Sequence, residues 1–174
     1  MREVKAAGAD LADAVSICSL RVGPGLYGID TREIREVLGS AAPQRVPLAP
    51  AYIAGVVPYR GEVLTTVCFR VLLGLKRVAS PCCVLVLDGD DNNERFGLVV
   101  DAVAGVVAMA SNALQANPSA LDARSMALFS GAYRMPSGLM VRLDPLRLQP
   151  ARLAESKLFG TSTQERQDRQ GETR

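Results

Sequence analysis

Two acidic residues three positions apart, Glu33 and Glu36, are the first candidates for chemistry in this chain. If this segment is helical they share one face, and paired carboxylates can perform acid–base catalysis, as in glycoside hydrolysis. They alternate with Arg32 and Arg35, so ion pairing is the simpler interpretation. The chain contains no histidine, which excludes Ser-His-Asp and Cys-His arrangements and a histidine phospho-acceptor. The residues therefore predict no catalytic site and no enzymatic activity.

The four cysteines, Cys18, Cys68, Cys82 and Cys83, offer a second kind of chemistry. No two of them have the two-residue gap of a zinc or redox motif. Neighbouring residues of a strand point to opposite faces, so Cys82 and Cys83 cannot easily bridge each other. We interpret the cysteines as small hydrophobic residues in a reducing cytosol. The alternative is a thiol-based redox sensor using Cys82 and Cys83, which requires an exposed thiol of low pKa.

The segment DGDDNNERFGLV alternates oxygen ligands of the kind that calcium prefers. An EF-hand loop starting at Asp88 needs glycine at its sixth position, where Asn93 stands, and a carboxylate at its twelfth, where Val99 stands. The phosphate-binding patterns GxxxxGK[ST] and GxGxxG do not occur in the sequence. We therefore expect neither a metal site nor a cofactor.

The composition is that of a folded domain, with 48% hydrophobic and 22% charged residues. The net charge of +2 is scattered and forms no basic stripe, so nucleic-acid binding is not expected. The N-terminus lacks the apolar core of a signal peptide, and polar residues and a proline interrupt the uncharged stretch 102–121. We expect a soluble, cytoplasmic protein that does not insert into the membrane.

Short apolar segments separated by glycine and proline dominate the chain. The alternation over residues 15–22 predicts a strand, which turns at Gly23-Pro24-Gly25. Further hairpins are predicted around Arg60-Gly61, around the polar loop 89–95 and around residues 136–138. Eight or more short strands with regular turns predict an all-β barrel or sandwich.

Helical segments are expected to be few and short. One is predicted to begin at Asp30 or Thr31, either of which can cap it, with Ile34, Val37 and Leu38 as its apolar positions. Other short helical turns are predicted in FRVLLGL, LDARSMALF and DPLRL.

The sequence predicts one ordered domain over residues 15–148, flanked by polar ends. Residues 1–14 form an Ala-rich lead-in that we expect to be disordered. Residues 149–174 are interpreted as a disordered C-terminal tail, since the last 14 positions contain no apolar residue.

Five segments, in this order and spacing, give the chain a family resemblance: YGIDTREIREVLG, VPLAPAYIAGVVPYRGEVL, FRVLLG, VLVLDG and GLVVDAVAGVV. Over residues 15–148 the chain resembles CheW-like coupling proteins. The resemblance implies an all-β fold of two intertwined SH3-like five-stranded barrels and no enzymatic activity. It also implies two partners, the cytoplasmic tip of methyl-accepting chemoreceptors and the regulatory domain of a CheA-type histidine kinase. Such an adaptor works in receptor arrays at the inner face of the membrane.

The resemblance also assigns residues to the binding surfaces. Arg60 is expected to pair with Glu36, and Gly55 and the Arg60-Gly61 turn are expected near the surfaces for receptor and kinase. The receptor side is assigned to five small or aliphatic residues, namely Ile34, Val37, Cys83, Val103 and Val106.

The chain departs from the family pattern in three places. Pro58-Tyr59 stands where relatives often have Asn-Leu, Thr65 where they often have proline, and Cys68-Phe69-Arg70 where they often have Asp-Leu-Arg. These departures leave two alternatives open, a coupling protein of the main flagellar array or one of a pathway with another output, such as surface motility.

Overall fold

The computed structural model describes residues 14–78, 82–89, 94–119 and 121–159. These residues form ten strands: β1 (Ala14–Val22), β2 (Gly25–Asp30), β3 (Ile34–Ala41), β4 (Ile53–Tyr59), β5 (Glu62–Cys68), β6 (Cys82–Leu87), β7 (Phe96–Val100), β8 (Ala102–Ala110), β9 (Phe129–Met135) and β10 (Gly138–Leu143). The helices are short: α1 (Phe69–Leu72), α2 (Ala123–Leu128) and α3 (Pro150–Glu155), with 3₁₀ turns at Thr31–Glu33, Ser111–Ala113 and Pro145–Leu148.

The strands form two five-stranded sheets, in the orders β8-β1-β2-β10-β9 and β3-β6-β7-β5-β4. The second sheet is one continuous block of chain, inserted between β2 and β8 of the first. Among the described strands, half of the neighbouring pairs are hairpins, and β2–β10 and β5–β7 pair in parallel. The predicted all-β fold with two interleaved five-stranded units is confirmed.

One apolar core is shared by the two sheets. Leu20 and Ile29 of the first sheet are fully buried in the same cluster as Leu85 and Leu98 of the second. In β6, Leu85 faces this core, whereas Val86 faces a smaller cluster on the opposite side of its sheet. Both faces of β6 are therefore covered, which is why its sequence is continuously apolar rather than alternating.

Asp101 marks the place where the chain passes from one sheet to the other. Its carboxylate accepts a hydrogen bond from the backbone N–H of Gly23 (2.8 Å) and pairs with Arg70, while its own N–H donates to the carbonyl of Arg21. In the hairpin predicted around the polar loop 89–95, the second apolar arm would be the whole segment GLVVDAVAGVV. That prediction is wrong for the part after Asp101, because β7 pairs with β6 in the second sheet and β8 pairs with β1 in the first.

The helical turn expected after Asp30 is shorter than the sequence suggested. Asp30 caps the 3₁₀ turn, since its carboxylate accepts a hydrogen bond from the N–H of Arg32 (3.0 Å). Ile34, Val37 and Leu38 belong instead to β3, where they pair with residues of β6. Pairing with β6, most of which is buried, outweighed the local spacing of apolar residues in this segment.

The ordered part of the chain continues past residue 148, so the predicted start of the tail is wrong. Helix α3 follows, with Leu153 fully buried, and Phe159 lies under the guanidinium of Arg124, 5.1 Å from its carbon to the ring centroid. Both apolar residues join the shared core. At the other end, Ala14 begins β1. The rest of the two predicted disordered ends, residues 1–13 and 160–174, lies outside the described residues.

Candidate functional site

The β4–β5 hairpin turns through two residues with left-handed backbone, Arg60 (φ +50°) and Gly61 (φ +84°). Tyr59 and Glu62 pair on either side of them. Positive φ at both central residues is the type I′ geometry that suits the twist of a two-residue hairpin. Glycine adopts this conformation freely, whereas arginine does so at a cost. The turn holds Arg60 at its tip, with its side chain 71% exposed.

Arg60 forms the expected ion pair with Glu36 of β3. Its Nη2 and Nε donate to Glu36 Oε2 at 2.8 and 3.2 Å. The Tyr59 hydroxyl donates to the same oxygen at 3.0 Å. The hydrogen bonds from Arg60, and then that from Tyr59, hold the pKa of Glu36 below its ordinary value. Glu36 in turn raises the pKa of Arg60. The carboxylate and guanidinium are therefore fixed as a charged pair beside the hairpin.

The apolar residues assigned to the receptor side occur in two pairs with a spacing of three, Ile34 with Val37 and Val103 with Val106. In a regular strand such pairs would point to opposite faces. Both strands, however, carry a register shift between the two members of the pair. An extra residue at each bulge restores a common direction.

The cross-strand partners show which face this is. Ile34 and Val37 lie opposite Leu87 and Leu85 of β6, while Val103 and Val106 lie opposite Leu20 and Cys18 of β1. These four partners are all buried in the shared core. Residues directly opposite each other in a ladder project from the same side of the sheet. Both pairs therefore project from the sides of the two sheets that face the shared core.

We use the term apolar face for Ile34, Val37, Cys83, Val103 and Val106. Ile34, Cys83 and Val103 are half-buried and pack against the shared core. Val37 and Val106 are 42% and 63% exposed. Strands β6 and β8, which belong to different sheets, contact each other. The apolar face thus has an inner part anchored in the core and an outer part of two exposed valines.

Gly55, which was expected near the binding surfaces, is buried beneath a neighbouring segment of backbone. The backbone φ of Gly55 is +145°. A Cβ atom added at this position would lie 2.2 Å from the carbonyl oxygen of Gln44. That close approach comes from two backbone hydrogen bonds between Gln44 and Val56, each 2.8 Å. Gly55 therefore allows residues 43–45 to cover the edge of β4, and it contributes backbone rather than a surface side chain.

Three residues of the site were not identified from the sequence. Tyr59 appeared there only as a departure from the family pattern, yet its hydroxyl binds Glu36. Ser19 and Gly105 fix the bulge of β8, since Ser19 Oγ donates to the carbonyl of Gly105 (2.8 Å), whose φ is +140°. A glycine inside an apolar strand is a signal for a bulge, and it was available in AVAGVV.

The thiol alternative gains no support from the structure. All four cysteines are free. Burial raises the pKa of the Cys82 thiol, and this thiol donates to the carbonyl of Ala41. A redox-active thiol needs the opposite shift, toward a stable thiolate.

The carboxylates considered as catalytic or calcium-binding groups are either paired with arginines or too differently placed to act together. Glu33 ends the 3₁₀ turn and Glu36 lies in β3, so they are not a helical pair. Arg32 pairs with Asp30 rather than with a glutamate. Asp88, the first candidate calcium ligand, pairs with Arg35. In the described part of the chain, no group of three or more His, Cys, Asp or Glu side chains is placed to hold a metal ion.

Within the same residues, the helices are too short to cross a membrane. Fold and site together define the class of this protein as an all-β domain of two interleaved five-stranded sheets, with an open apolar face and, on the other side of the edge strand β3, a fixed ion pair. Residues 16–151 match the family model described as CheW-like domain. The chain belongs to the CheW-like domain family.

Named relatives agree with this assignment. The chain is 29% identical over 102 residues to "Chemotaxis protein CheW" of Rhizobium meliloti (strain 1021), covering 59% of this chain and 66% of the relative. It therefore spans just under two thirds of that protein's length. It is 22% identical over 132 residues to "Chemotaxis protein CheW" of Treponema pallidum (strain Nichols), covering 74% of this chain and 78% of the relative.

A solved structure shares the fold. The scaffolding protein TtCheW from Thermoanaerobacter tengcongensis superimposes with a TM-score of 0.67 and 21% sequence identity, over 75% of this chain and 88% of that one. At this identity the likeness establishes the fold.

Proposed function

We propose that this chain is a non-catalytic adaptor that couples methyl-accepting chemoreceptors to a CheA-type histidine kinase. Membership of the CheW-like family and the chemotaxis names of its relatives support this function. The observation that carries it is the apolar face, whose two bulges turn aliphatic side chains of separate sheets toward one side, with the Glu36–Arg60 pair on the opposite side of the edge strand β3.

The apolar face is suited to the helical tip of a receptor hairpin. A helix presents apolar residues along one side, and a shallow groove of small aliphatic side chains can accept them. The exposed parts of Val37 and Val106 can still be buried, which contributes roughly 1 kcal/mol for each valine. The charged pair, on the other side of the edge strand β3, would add specificity and steer encounter more than it adds affinity.

The second proposed partner is the regulatory domain of the kinase, which by family resemblance has the same fold as this chain. We place the Arg60-Gly61 turn at the border between the two binding surfaces, since it projects from the end of the β4–β5 hairpin. Because the receptor tip is cytoplasmic, the adaptor would work in the cytoplasm at receptor arrays. It would need neither nucleic acid nor insertion into the membrane.

The test is direct binding of the chain to receptor cytoplasmic fragments and to the kinase regulatory domain encoded in the same genome. Val37→Glu and Val106→Glu place a charge on the apolar face, and each should weaken receptor binding at least tenfold because the charge must be desolvated. Val46→Glu is the matched control, because Val46 is 44% exposed but lies in the connection between β3 and β4. It should change receptor affinity less than twofold.

The proposal fails if the wild-type chain binds neither partner at micromolar concentration. It also fails for the apolar face if Val46→Glu weakens receptor binding as much as Val106→Glu does. Running the assay with the receptors of each chemosensory gene cluster separates a flagellar coupling protein from one that serves another output.

A further inference from the structure

Tyr59, the last residue of β4, has an aromatic ring that is held in place by its surroundings. The residue is 7% exposed and packs in the smaller apolar cluster with Val57, Leu64 and Val86, against which Leu38 of β3 also packs. A side chain enclosed in this way has lost most of its rotamer freedom on folding. The hydroxyl of Tyr59 is therefore held in a fixed position.

Tyr59 contacts both members of the charged pair, Glu36 through its hydroxyl and Arg60 through its ring. The hydroxyl donates to Glu36 Oε2 (3.0 Å), the same oxygen that accepts both hydrogen bonds from Arg60. The guanidinium carbon of Arg60 lies 5.4 Å from the centroid of the Tyr59 ring, within the range of a cation–π interaction. The Glu36 and Arg60 side chains are 36% and 71% exposed, and a pair this exposed is by itself weakly held.

We propose that Tyr59 is a positioning residue that fixes Arg60 for recognition of a hydrogen-bond acceptor, a carboxylate or a carbonyl, on the receptor tip. This inference rests on the proposed function and deepens it. Arg60 uses Nε and Nη2 for Glu36, and its Nη1 makes no hydrogen bond to any described residue. A guanidinium fork with one edge held and the other free is pre-organised for an acceptor. Fixing it before binding reduces the ordering cost of association.

The first test concerns the free protein. Tyr59→Phe removes the hydroxyl and keeps the ring. The pKa of Glu36, followed by carboxyl ¹³C NMR, should rise, and the Arg60 Nε–H resonance should exchange faster with water. Tyr52→Phe is the control, since Tyr52 is equally buried but belongs to the shared core. If Tyr59→Phe leaves both signals of the pair unchanged, the positioning role is wrong.

The second test concerns the receptor fragment. Tyr59→Phe should weaken its binding about three- to tenfold, with the thermal midpoint close to that of wild type. In a double-mutant cycle, adding Tyr59→Phe to Glu36→Gln should have little further effect, because the hydroxyl acts through Glu36. Equal losses in both backgrounds, or unchanged affinity in Tyr59→Phe, would overturn the proposal.

The two tests separate this inference from the proposed function. If the wild-type chain binds no receptor fragment, both the adaptor function and the recognition of the receptor by Arg60 are wrong. The NMR signals of Glu36 and Arg60 then still decide whether Tyr59 positions the pair.

Discussion

Replacing Gly55 by alanine should be among the most destabilising single substitutions in this domain, although Gly55 contributes no side chain. The new Cβ would meet the carbonyl oxygen of Gln44 at 2.2 Å, a backbone atom that cannot rotate away. Positive φ costs a non-glycine residue about 1–3 kcal/mol. Moving residues 43–45 aside would sacrifice the two hydrogen bonds between Gln44 and Val56, worth about 1 kcal/mol each. We expect Gly55→Ala to lower the free energy of unfolding by about 3–5 kcal/mol.

Two other glycines allow the cost of positive φ and the cost of the steric clash to be measured separately. Gly105 has φ +140° but open space around an added Cβ, so Gly105→Ala reports the backbone term alone. Gly39 has open space and no positive φ, so Gly39→Ala should change stability by no more than about 0.5 kcal/mol. Urea unfolding followed by circular dichroism gives all three values. The reasoning is refuted if Gly55→Ala destabilises the protein no more than Gly105→Ala does.

Three further predictions concern the scaffold of the site. Asp101→Asn, which weakens the contact with Arg70 where the chain changes sheets, should lower the free energy of unfolding by about 1–3 kcal/mol in urea; an unchanged midpoint would contradict this role. Phe159→Ala should cost about 2–4 kcal/mol because the ring is buried, whereas the neighbouring Leu158→Ala, at a 43% exposed position, should cost less than about 1 kcal/mol; equal losses would mean that Phe159 does not anchor the C-terminal segment. A side-chain hydrogen bond from Arg32 is the main reason why the pKa of Asp30 is lowered in the folded protein. The stability that this carboxylate contributes is therefore fully present above its unfolded pKa near 3.9, and it is lost as the pH falls toward the lower folded pKa. Asp30→Asn should keep the helix cap and flatten the fall in unfolding free energy below about pH 4, and an acid limb identical to wild type would contradict the assignment.

Local sequence patterns were enough to predict the hairpins of this fold. Period-two alternation identified β1, and glycine–proline or polar turns marked the reversals after it and before β10. The helical turn predicted in DPLRL is also present as the last 3₁₀ turn, with Asp144 as its cap and Pro145 at its first position. Each of these features depends on residues within a few positions of one another.

Features set by distant contacts were missed or misread. In the apolar run 96–110, nothing local shows that the chain changes sheets at Asp101. The groups that bind the Asp101 carboxylate are distant in sequence, since they are the N–H of Gly23 in the β1–β2 turn and the guanidinium of Arg70 in α1. Helix α3 was assigned to the tail because a polar stretch follows it, and only the core supplies the partners for Leu153 and Phe159. Period-two reasoning likewise cannot place a bulge, which shifts every later residue to the other face.

The candidate site came from the sequence only through family resemblance. Nothing in the spacing of Glu36 and Arg60 shows that β3 and the β4–β5 hairpin bring them together. Their pairing could be expected from related sequences. The part played by Tyr59 could not, since it stands where relatives often have leucine.

The central claim is that the apolar face receives the receptor tip. The most direct measurement is methyl NMR of the labelled chain during titration with a receptor cytoplasmic fragment. The methyl groups of Val37, Val103 and Val106 should shift, whereas those of Val46 and Leu139, both exposed outside the apolar face, should not. Saturable binding that shifts Val46 or Leu139 and leaves the three valines of the apolar face untouched would contradict the claim.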